Sequence, residues 1–293
     1  MGPPVAEAKL STPADLSLKP IKGPSAFGGS FKRFTSLLWL QSVTEFKAGY
    51  LHTSFGYLWS LARPLMLFGV LLVVFTKIFR IGNDVPNYPV MLLFNIMLFT
   101  FFQEATTNAV TAVVDQENVV RKMQFPRIII PLSIVLTAGF NLCLNLIAVF
   151  VFVVAYGVDP TWTWLGLPLI LLALVLFTTG VSMALSALYV RFRDVGIIWS
   201  VVVQILFYAS PILYPIEILP PDSEVQSLIQ LNPLTPLFEL ARVWIIDPSA
   251  SGVTADAIGS AVFIAVPVAL FVGVCALGYW VFTREAPRIA EEL

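Results

Sequence analysis

Long runs of apolar residues, separated by short charged segments, divide this 293-residue chain. A charge at the centre of a bilayer is costly, so an uncharged apolar stretch of more than about 18 residues predicts a transmembrane helix. Four stretches exceed this length by wide margins, and two more are interrupted by one or two charged residues. The predicted spans are residues 64–79 (extended backwards to 55), 89–112, 128–158, 160–190, 195–216 and 257–283. This pattern predicts an all-α integral membrane protein with six transmembrane helices, within residues 55–283.

The segments before and after the spans have different characters. Residues 1–30 are rich in Pro, Ser, Ala and Gly and predict a flexible cytoplasmic tail. Residues 31–54 predict an amphipathic helix that lies in the inner membrane interface. Its apolar stripe consists of Trp39, Val43, Phe46 and Tyr50, and its opposite face of Gln41, Thr44 and Ala48. The alternative is that this helix forms the cytoplasmic end of one long first span. Residues 284–293 form a second short tail.

The distribution of basic residues predicts the orientation, because cytoplasmic loops retain Lys and Arg. With six spans, 14 of the 17 Lys and Arg residues fall on one side, in the two terminal segments and the loops at 113–127 and 191–194. Only Lys77, Arg80 and Arg242 fall on the other side. Both termini are therefore predicted to be cytoplasmic.

Composition excludes several classes of protein. Hydrophobic residues make up 58% of the chain and charged residues 12%, which does not fit a soluble domain. A net charge of -1 gives no reason to expect nucleic acid. Cys143 and Cys275 are predicted to be small buried residues, and His52 is the single histidine, so a zinc or histidine-based catalytic site is not expected. The sequence lacks a phosphate-binding G-x-x-x-x-G-K-[ST] loop and the common hydrolase motifs, so the chain is not predicted to be an enzyme and binds no cofactor itself.

The segment between the fifth and sixth predicted spans contains a short apolar run flanked by prolines. Its residues 237–246 form a helix about 15 Å long, half of a roughly 30 Å hydrocarbon core. Such a helix is too short to cross and too apolar for water, so residues 211–250 predict re-entrant outer helices. A helix lying flat on the outer leaflet is the alternative. Within the run, Glu239 and Arg242 are spaced to form an ion pair.

Two further polar features lie on or near the second predicted span. Glu104 is the carboxylate well inside that span, where an acid faces protein or water. A structural hydrogen-bond network and a role in substrate transfer or gating are both open interpretations. The charged connector 115–127 follows the span. Its residues alone favour a solvated loop over a short helix that docks on a partner.

Four local patterns, in this order along residues 31–290, resemble the membrane subunits of type-2 ABC exporters of lipid-linked polysaccharides such as O-antigen, teichoic acid and galactan. The patterns are EFKAGYLHTSFGYLWSLARP (45–64), ENVVRKMQFPR (117–127), VRFRDV (190–195) and SPILYP with LNPLTPLFELAR (210–215 and 231–242). The first pattern departs from the family, because Phe55 replaces a leucine and Lys47 with Tyr50 replaces an adjacent Arg-Tyr pair.

The resemblance implies a homodimeric permease, in the bacterial plasma (inner) membrane, bound to two copies of a cytoplasmic ATPase subunit that binds ATP and Mg. It implies that residues 115–127 form a coupling helix, which reverses the preference for a solvated loop. The implied coupling residues are Glu117, Asn118, Arg121, Lys122, Phe125 and Pro126. The cytoplasmic loop pattern matches at Arg191, Arg193 and Asp194.

A long polar polymer needs a hydrated path, and aromatic faces can stack on sugar rings. The aromatic residues predicted to line such a path are Tyr57, Trp199, Phe207, Tyr208 and Tyr214. The composition of the amino-terminal tail resembles that of permeases from bacteria with arabinogalactan walls, which favours galactan as the polymer. The alternatives are an ABC permease for a drug or lipid and an ion-coupled transporter; a membrane transferase would need a catalytic pair that the sequence does not show.

Overall fold

A computed structural model describes residues 31–50, 56–80, 85–116, 126–220, 224–248, 250 and 262–285. The predicted tail 1–30, the connector residues 117–125 and the end of the second tail, 286–293, lie outside the described residues. Every regular element of the described residues is helical. The helices are α1 (Phe31–Tyr50), α2 (Leu58–Val73), α3 (Tyr88–Asp115), α4 (Ile129–Ala155), α5 (Leu167–Arg191), α6 (Val195–Ala209), α7 (Glu224–Gln230), α8 (Thr235–Ala241) and α9 (Val262–Glu285).

Short helical turns extend or separate these helices. Two π-helical turns, Val74–Ile78 and Arg242–Ile246, directly continue α2 and α8. Two 3-10 turns, Trp162–Gly166 and Ile216–Ile218, precede α5 and follow α6. The apolar run 237–246 is therefore helical throughout, as the sequence predicts.

Five of the described helices are long and apolar enough to cross a membrane, which confirms an all-helical, multi-pass membrane protein. They are Leu58–Ile78, Tyr88–Asp115, Ile129–Ala155, Trp162–Arg191 and Ile264–Glu285. The predicted span 195–216 differs, because its helix α6 ends at Ala209 after 15 residues. Ser210 is extended, with φ -106° and ψ 152°. The residue before a proline is driven out of the helical region, so Pro211 explains why α6 stops.

Helix α3 lies at the centre of the bundle. Of an apolar 18-residue stretch of α3, 78% of the residues are buried. The corresponding share is 11% for α2 with its π-helical turn and 11% for α9. Helix α3 packs against α2, α4, α5 and α6, and four of its phenylalanines are among the largest fully buried side chains. An apolar membrane helix can face lipid or protein, and the burial of α3 shows that protein surrounds it on most sides. α3 therefore sets the positions of the helices around it.

Helix α9 packs against α5 through two glycines. A methyl group added to Gly278 would collide with the backbone carbonyl of Gly180. A methyl group added to Gly180 would lie 2.7 Å from the Cα of Cys275. Small residues allow two transmembrane helices to approach this closely. The pair Gly180 and Gly278 therefore fixes the crossing point of α5 and α9.

Helix α1 is a separate element that packs on α4. The rings of Trp39 and Phe46 lie 5.3 Å and 5.8 Å from the ring of Phe140. Gly56 has a φ of 48°, a left-handed conformation that an uninterrupted helix from α1 into α2 would not contain. Gln41, which the helical pattern predicts on the polar outer face, is half-buried and points towards the end of α3.

The two cysteines are free. Cys275 is half-buried against α5, where its thiol donates to the carbonyl of Leu176 at 3.6 Å. Cys143 is exposed on an apolar surface of α4. The prediction that both cysteines are buried is therefore wrong for Cys143, because hydropathy alone does not distinguish a lipid-facing surface from a core.

Candidate functional site

An ion cluster lies within the segment that connects α6 to α9. Nη1 of Arg242 lies 2.7 Å from Oε2 of Glu217 and 3.6 Å from Oε2 of Glu239. Arg242 and Glu239 are almost completely buried. Burial raises the pKa of Glu239 to about 7, the positive charge of Arg242 opposes this shift, and the negative charge of Glu217 adds to it. One arginine therefore serves two carboxylates, of which the sequence predicts only Glu239.

Buried hydrogen bonds from α3 hold the chain that follows α6. The Tyr88 hydroxyl donates to the carbonyl of Leu213 at 2.7 Å, and Nδ2 of Asn95 donates to the carbonyl of Pro211 at 3.1 Å. This stretch is not helical, so its buried carbonyls need side-chain donors. Asn95 is two turns after the start of α3. The stretch therefore runs alongside the first two turns of α3 and does not stop at its first residue.

The turn that continues α8 is held from two sides. Nε1 of Trp164 donates to the carbonyl of Ile245 at 3.0 Å, and Nδ2 of Asn87 lies 3.5 Å from the carbonyl of Ile246. The last carbonyls of a helix lack partners within the helix, and these donors supply them. The Trp244 ring occupies the space that a side chain at Gly166 would fill. The re-entrant candidate 235–246 is therefore enclosed by protein.

A polar cavity of about 440 Å³ lies between α1, α3 and α4. At one end of it, a hydrogen-bond chain crosses all three helices. The Tyr50 hydroxyl donates to Oδ1 of Asn141 at 2.7 Å, and Nδ2 of Asn141 donates to Oε1 of Glu104 at 2.5 Å. Glu104 thus belongs to a structural network and also lines a cavity, so both interpretations of this carboxylate fit the geometry.

Two of the aromatic path candidates pack between α3 and α6. Nε1 of Trp199 donates to Oγ1 of Thr106 at 3.2 Å. The ring of Phe207 lies 5.2 Å from the ring of Phe99. Both side chains are half-buried, so one edge of each contacts α3 and the other reaches the surface of the protein.

The other three candidates have different surroundings. Tyr208 is exposed on α6, and the Tyr214 hydroxyl donates to its carbonyl at 3.0 Å. Tyr57, just before α2, donates to Oδ1 of Asn145 at 3.0 Å. The structure therefore places Trp199, Phe207, Tyr208 and Tyr214 along or beside α6, and Tyr57 against α4.

The turn between α5 and α6 carries the predicted cytoplasmic loop residues. The guanidinium of Arg191 lies 5.5 Å from the centre of the Phe192 ring, and that of Arg193 lies 5.1 Å from the centre of the Tyr189 ring. Asp194 immediately precedes α6, where a negative charge interacts favourably with the positive end of the helix dipole.

Most of the predicted coupling residues lie outside the described residues. These are Glu117, Asn118, Arg121, Lys122 and Phe125. The described flanks differ from a helix that begins near Asp115, because Asp115 is the last residue of α3. Pro126 lies just before the turn into α4. The structure therefore describes the two ends of the connector.

The sequence reasoning missed one carboxylate in this region, Glu45 on α1. It lines the polar cavity and accepts hydrogen bonds from side chains of α3 and α4. The sequence does offer one indication of this role, because Glu45 is next to the apolar stripe of α1. An acid at the edge of a helix interface requires polar partners on the neighbouring helices.

Comparison with known proteins gives two consistent results. The family model of the ABC-2 type transporter membrane domain matches residues 37–246. An O-antigen export system permease protein of Myxococcus xanthus is 30% identical over 193 residues, which cover 66% of this chain and 74% of that protein. An O-antigen export system permease protein of Klebsiella pneumoniae is 32% identical over 191 residues, covering 65% of this chain and 72% of that protein. The family match includes α1 from Leu37 onwards, the helices α2–α6 and the ion cluster.

Proposed function

This chain belongs to the ABC-2 type transporter family, and from that premise we propose that it is the permease subunit of an ATP-driven exporter of a lipid-linked polysaccharide. The similarity to O-antigen export permeases over about two thirds of the chain carries this proposal. The exported polymer is of the O-antigen class, and the composition of the tail favours a cell-wall galactan. The described residues form a multi-pass helical bundle, as a permease requires.

The proposed topology has six crossings, with α6 as the fifth. Its 15 residues extend about 22 Å, less than a roughly 30 Å core. The chain after α6 supports this assignment, because Ile212 and Leu213 are buried against α3. The enclosed helix 235–246 then forms a re-entrant element that enters from outside. With the basic residues inside, both termini are cytoplasmic and the membrane is the bacterial plasma membrane.

The proposed assembly is a homodimer bound to two copies of a separate ATPase subunit. ATP and Mg bind to that subunit, and the connector 117–125 contacts it. Closure of the ATPase subunits moves the connector, and the spans of the two permease copies part to open a path along the dimer axis. Trp199, Phe207 and Tyr208 on α6 line that path, together with Tyr57 and Tyr214.

The half-exposed aromatic residues of α6 support a role in substrate passage. Tyr208 exposes 57% of its surface, and a phenolic hydroxyl facing hydrocarbon lacks hydrogen-bond partners. A position beside a hydrated path supplies partners for the hydroxyl and a flat face for sugar rings. The same reasoning applies to Gln204, which is exposed one turn earlier on α6.

Co-purification tests the assembly. The permease, expressed with a candidate ABC ATPase subunit of the same organism and solubilised in mild detergent, is expected to retain that subunit and to hydrolyse Mg-ATP. Phe125→Ala is expected to loosen the complex or to uncouple hydrolysis from export. Thr44→Ala on the exposed face of α1 serves as the control. A permease that never retains an ATPase, in any detergent or nanodisc, would contradict the proposal.

A further inference from the structure

The carboxylate of Glu45 lies where three helices meet. Its Oε1 accepts from Nε2 of Gln41 on α1 at 3.1 Å and from Nε2 of Gln116 at the end of α3 at 2.9 Å. Oγ of Ser133 on α4 lies 3.3 Å from the same oxygen and 2.8 Å from the carbonyl of Ile130, so its one proton is shared between two acceptors. We call Gln41, Glu45, Gln116, Ser133 and Thr137 the Glu45 cluster. A carboxyl group offers two acceptor oxygens, so one acid can serve several donors.

Further hydrogen bonds close this cluster. Nε2 of Gln41 also lies 2.8 Å from Oε1 of Gln116. Thr137 on α4 donates to the carbonyl of Ser42 at 3.2 Å, and its hydroxyl lies 3.5 Å from Oε2 of Glu45. Each amide side chain thus has a defined partner. The cluster therefore specifies one relative position of α1, α3 and α4.

The cluster lies at both ends of the connector. Gln116 is the residue directly after α3, and Ser133 is in the second turn of α4. The nine connector residues 117–125 run between these two positions. Glu45 bonds to Gln116, and α1 also packs on α4, where Thr137 donates to the carbonyl of Ser42. α1 therefore contacts both flanks of the connector although it lies far from them in sequence.

Packing alone does not supply this attachment between α1 and α3. Helix α1 packs extensively on α4, but a polar cavity of about 440 Å³ separates much of it from α3. The Glu45 cluster is at one end of that cavity, and the Tyr50–Asn141–Glu104 chain is at the other. These polar contacts at the two ends of the cavity hold α1 in place relative to α3, although the two helices share little buried apolar surface.

From this geometry we propose that Glu45 is a positioning residue that makes α1 move as one body with the two ends of the connector. The inference rests on the proposed function, in which the connector receives the motion of the ATPase subunit. α1 then carries that motion along the membrane interface, beside the entrance to α2. Without Glu45, ATP hydrolysis continues and α1 no longer follows the connector.

Substitutions of Glu45 in the complete complex with the ATPase subunit test the proposal. Glu45→Ala leaves the amides of Gln41 and Gln116 without their shared acceptor, and export is expected to fall about tenfold while ATPase activity stays within about twofold. Glu45→Gln keeps an oxygen acceptor at the same place and is expected to restore most of the export. Thr44→Ala is the matched control, because its hydroxyl donates to its own helix at the carbonyl of Leu40.

Export is measured as the cell-surface appearance of the polymer that accumulates inside cells depleted of the permease. If Glu45→Ala exports at the wild-type rate, or if Glu45→Gln is as defective as Glu45→Ala, the proposal is overturned. If a Glu45 variant loses its ATPase subunit, co-purification detects the loss. In that case the cross-linking measurement described next decides whether Glu45 has the proposed role.

A covalent link provides this second measurement. Gln41→Cys with Gln116→Cys, in a background without Cys143 and Cys275, removes the amide pair and is expected to reduce export. A short bismaleimide cross-linker between the two cysteines is expected to restore it, because α1 and α3 need not move apart. If cross-linking instead abolishes the remaining export, α1 must move relative to α3, and the proposal is wrong.

The wild-type complex distinguishes a failure of the proposed function from a failure of the proposed role of Glu45. If it shows no ATP-dependent export, the proposed function fails. If wild-type export depends on ATP but neither Glu45→Ala nor the cross-link changes it as expected, only the role of Glu45 fails.

Discussion

Nε2 of Gln116 donates a hydrogen bond of 2.9 Å to Oε1 of Glu45, and this bond joins the end of α3 to a helix 71 positions earlier in the chain. Gln116 is the last described residue before residues 117–125 of the connector. The hydrogen bond from Gln116 to Glu45 therefore joins α1 to the edge of the segment where the ATPase is proposed to bind. The membrane-interface helix and the connector are therefore structurally linked through side chains, in addition to the covalent chain.

The ion cluster predicts a strong dependence of stability on Arg242. Well above the Glu239 pKa of about 7, Arg242→Gln leaves the buried, ionised carboxylate of Glu239 without its nearest positive charge, and this is expected to cost about 3 kcal/mol. The double substitution Arg242→Gln with Glu239→Gln removes the stranded charge and is expected to recover part of the loss. Thermal unfolding in detergent checks both, with the exposed Arg80→Gln as the control. An Arg242→Gln protein as stable as the wild type would show that the cluster is not buried.

The raised pKa of Glu239 predicts a pH dependence of the same cluster. Because its folded-state pKa of about 7 exceeds the ordinary value, the folded protein binds this proton more tightly than the unfolded chain does. The resulting stability is fully present below about pH 4.5 and is lost as the pH rises to about 7. The melting temperature of the wild type should fall across this range by more than that of Glu239→Gln. Equal slopes for the two proteins would contradict the assignment.

The crossing of α5 and α9 predicts different effects for two glycines of one helix. Gly278→Ala places a methyl group against the backbone of Gly180, and separating the helices is expected to cost about 1–3 kcal/mol. Gly273→Ala is the matched control, since no atom lies within 4 Å of the added methyl group. Thermal unfolding of the two variants should therefore differ clearly. Equal stabilities would mean that the helices cross elsewhere.

The aromatic path predicts that two equally exposed tyrosines differ in importance. Tyr208 on α6 and Tyr279 on α9 expose 57% and 58% of their surfaces. Tyr208→Ala is expected to slow export about tenfold, as the loss of one stacking contact with a ring would. Tyr279→Ala is expected to leave export unchanged, because α9 is not assigned to the path.

Trp199→Ala extends the same test to a residue that also contacts α3 through Thr106. Trp199→Phe keeps a ring and removes only this hydrogen bond, so it should retain more export than Trp199→Ala. Export at wild-type rates in both Tyr208→Ala and Trp199→Ala would contradict an aromatic path.

The sequence predicts the positions of the spans well, because a bilayer excludes charge and so marks each crossing by an uncharged stretch. Four of the five long helices lie within a few residues of these stretches, and α9, which the structure describes from Val262, lies within two residues of the predicted end at 283. The end of α6 is not visible in this way. Residues 210–216 are uncharged, yet Pro211 removes Ser210 from the helix, and the chain continues in a buried non-helical segment.

The polar contacts are harder to predict, because their partners are distant in sequence. The i, i+3 spacing identifies Glu239 as a partner of Arg242, but the shorter contact is to Glu217, 25 positions earlier. Periodicity assigns Gln41 to the outer face of α1, although it bonds to Gln116 across 75 positions. Helical periodicity describes one helix at a time, and these contacts depend on how three helices pack.

Depletion of the permease tests the proposed function most directly. After depletion, the lipid-linked glycans of the two membrane leaflets are separated by their accessibility to a glycosidase that cannot cross the membrane. A lipid-linked polysaccharide should accumulate on the cytoplasmic side, and wild-type permease should return it to the outer side only while ATP is present. If no lipid-linked glycan accumulates, or if its transfer continues after ATP is removed, the chain is not the permease of an ATP-driven polysaccharide exporter.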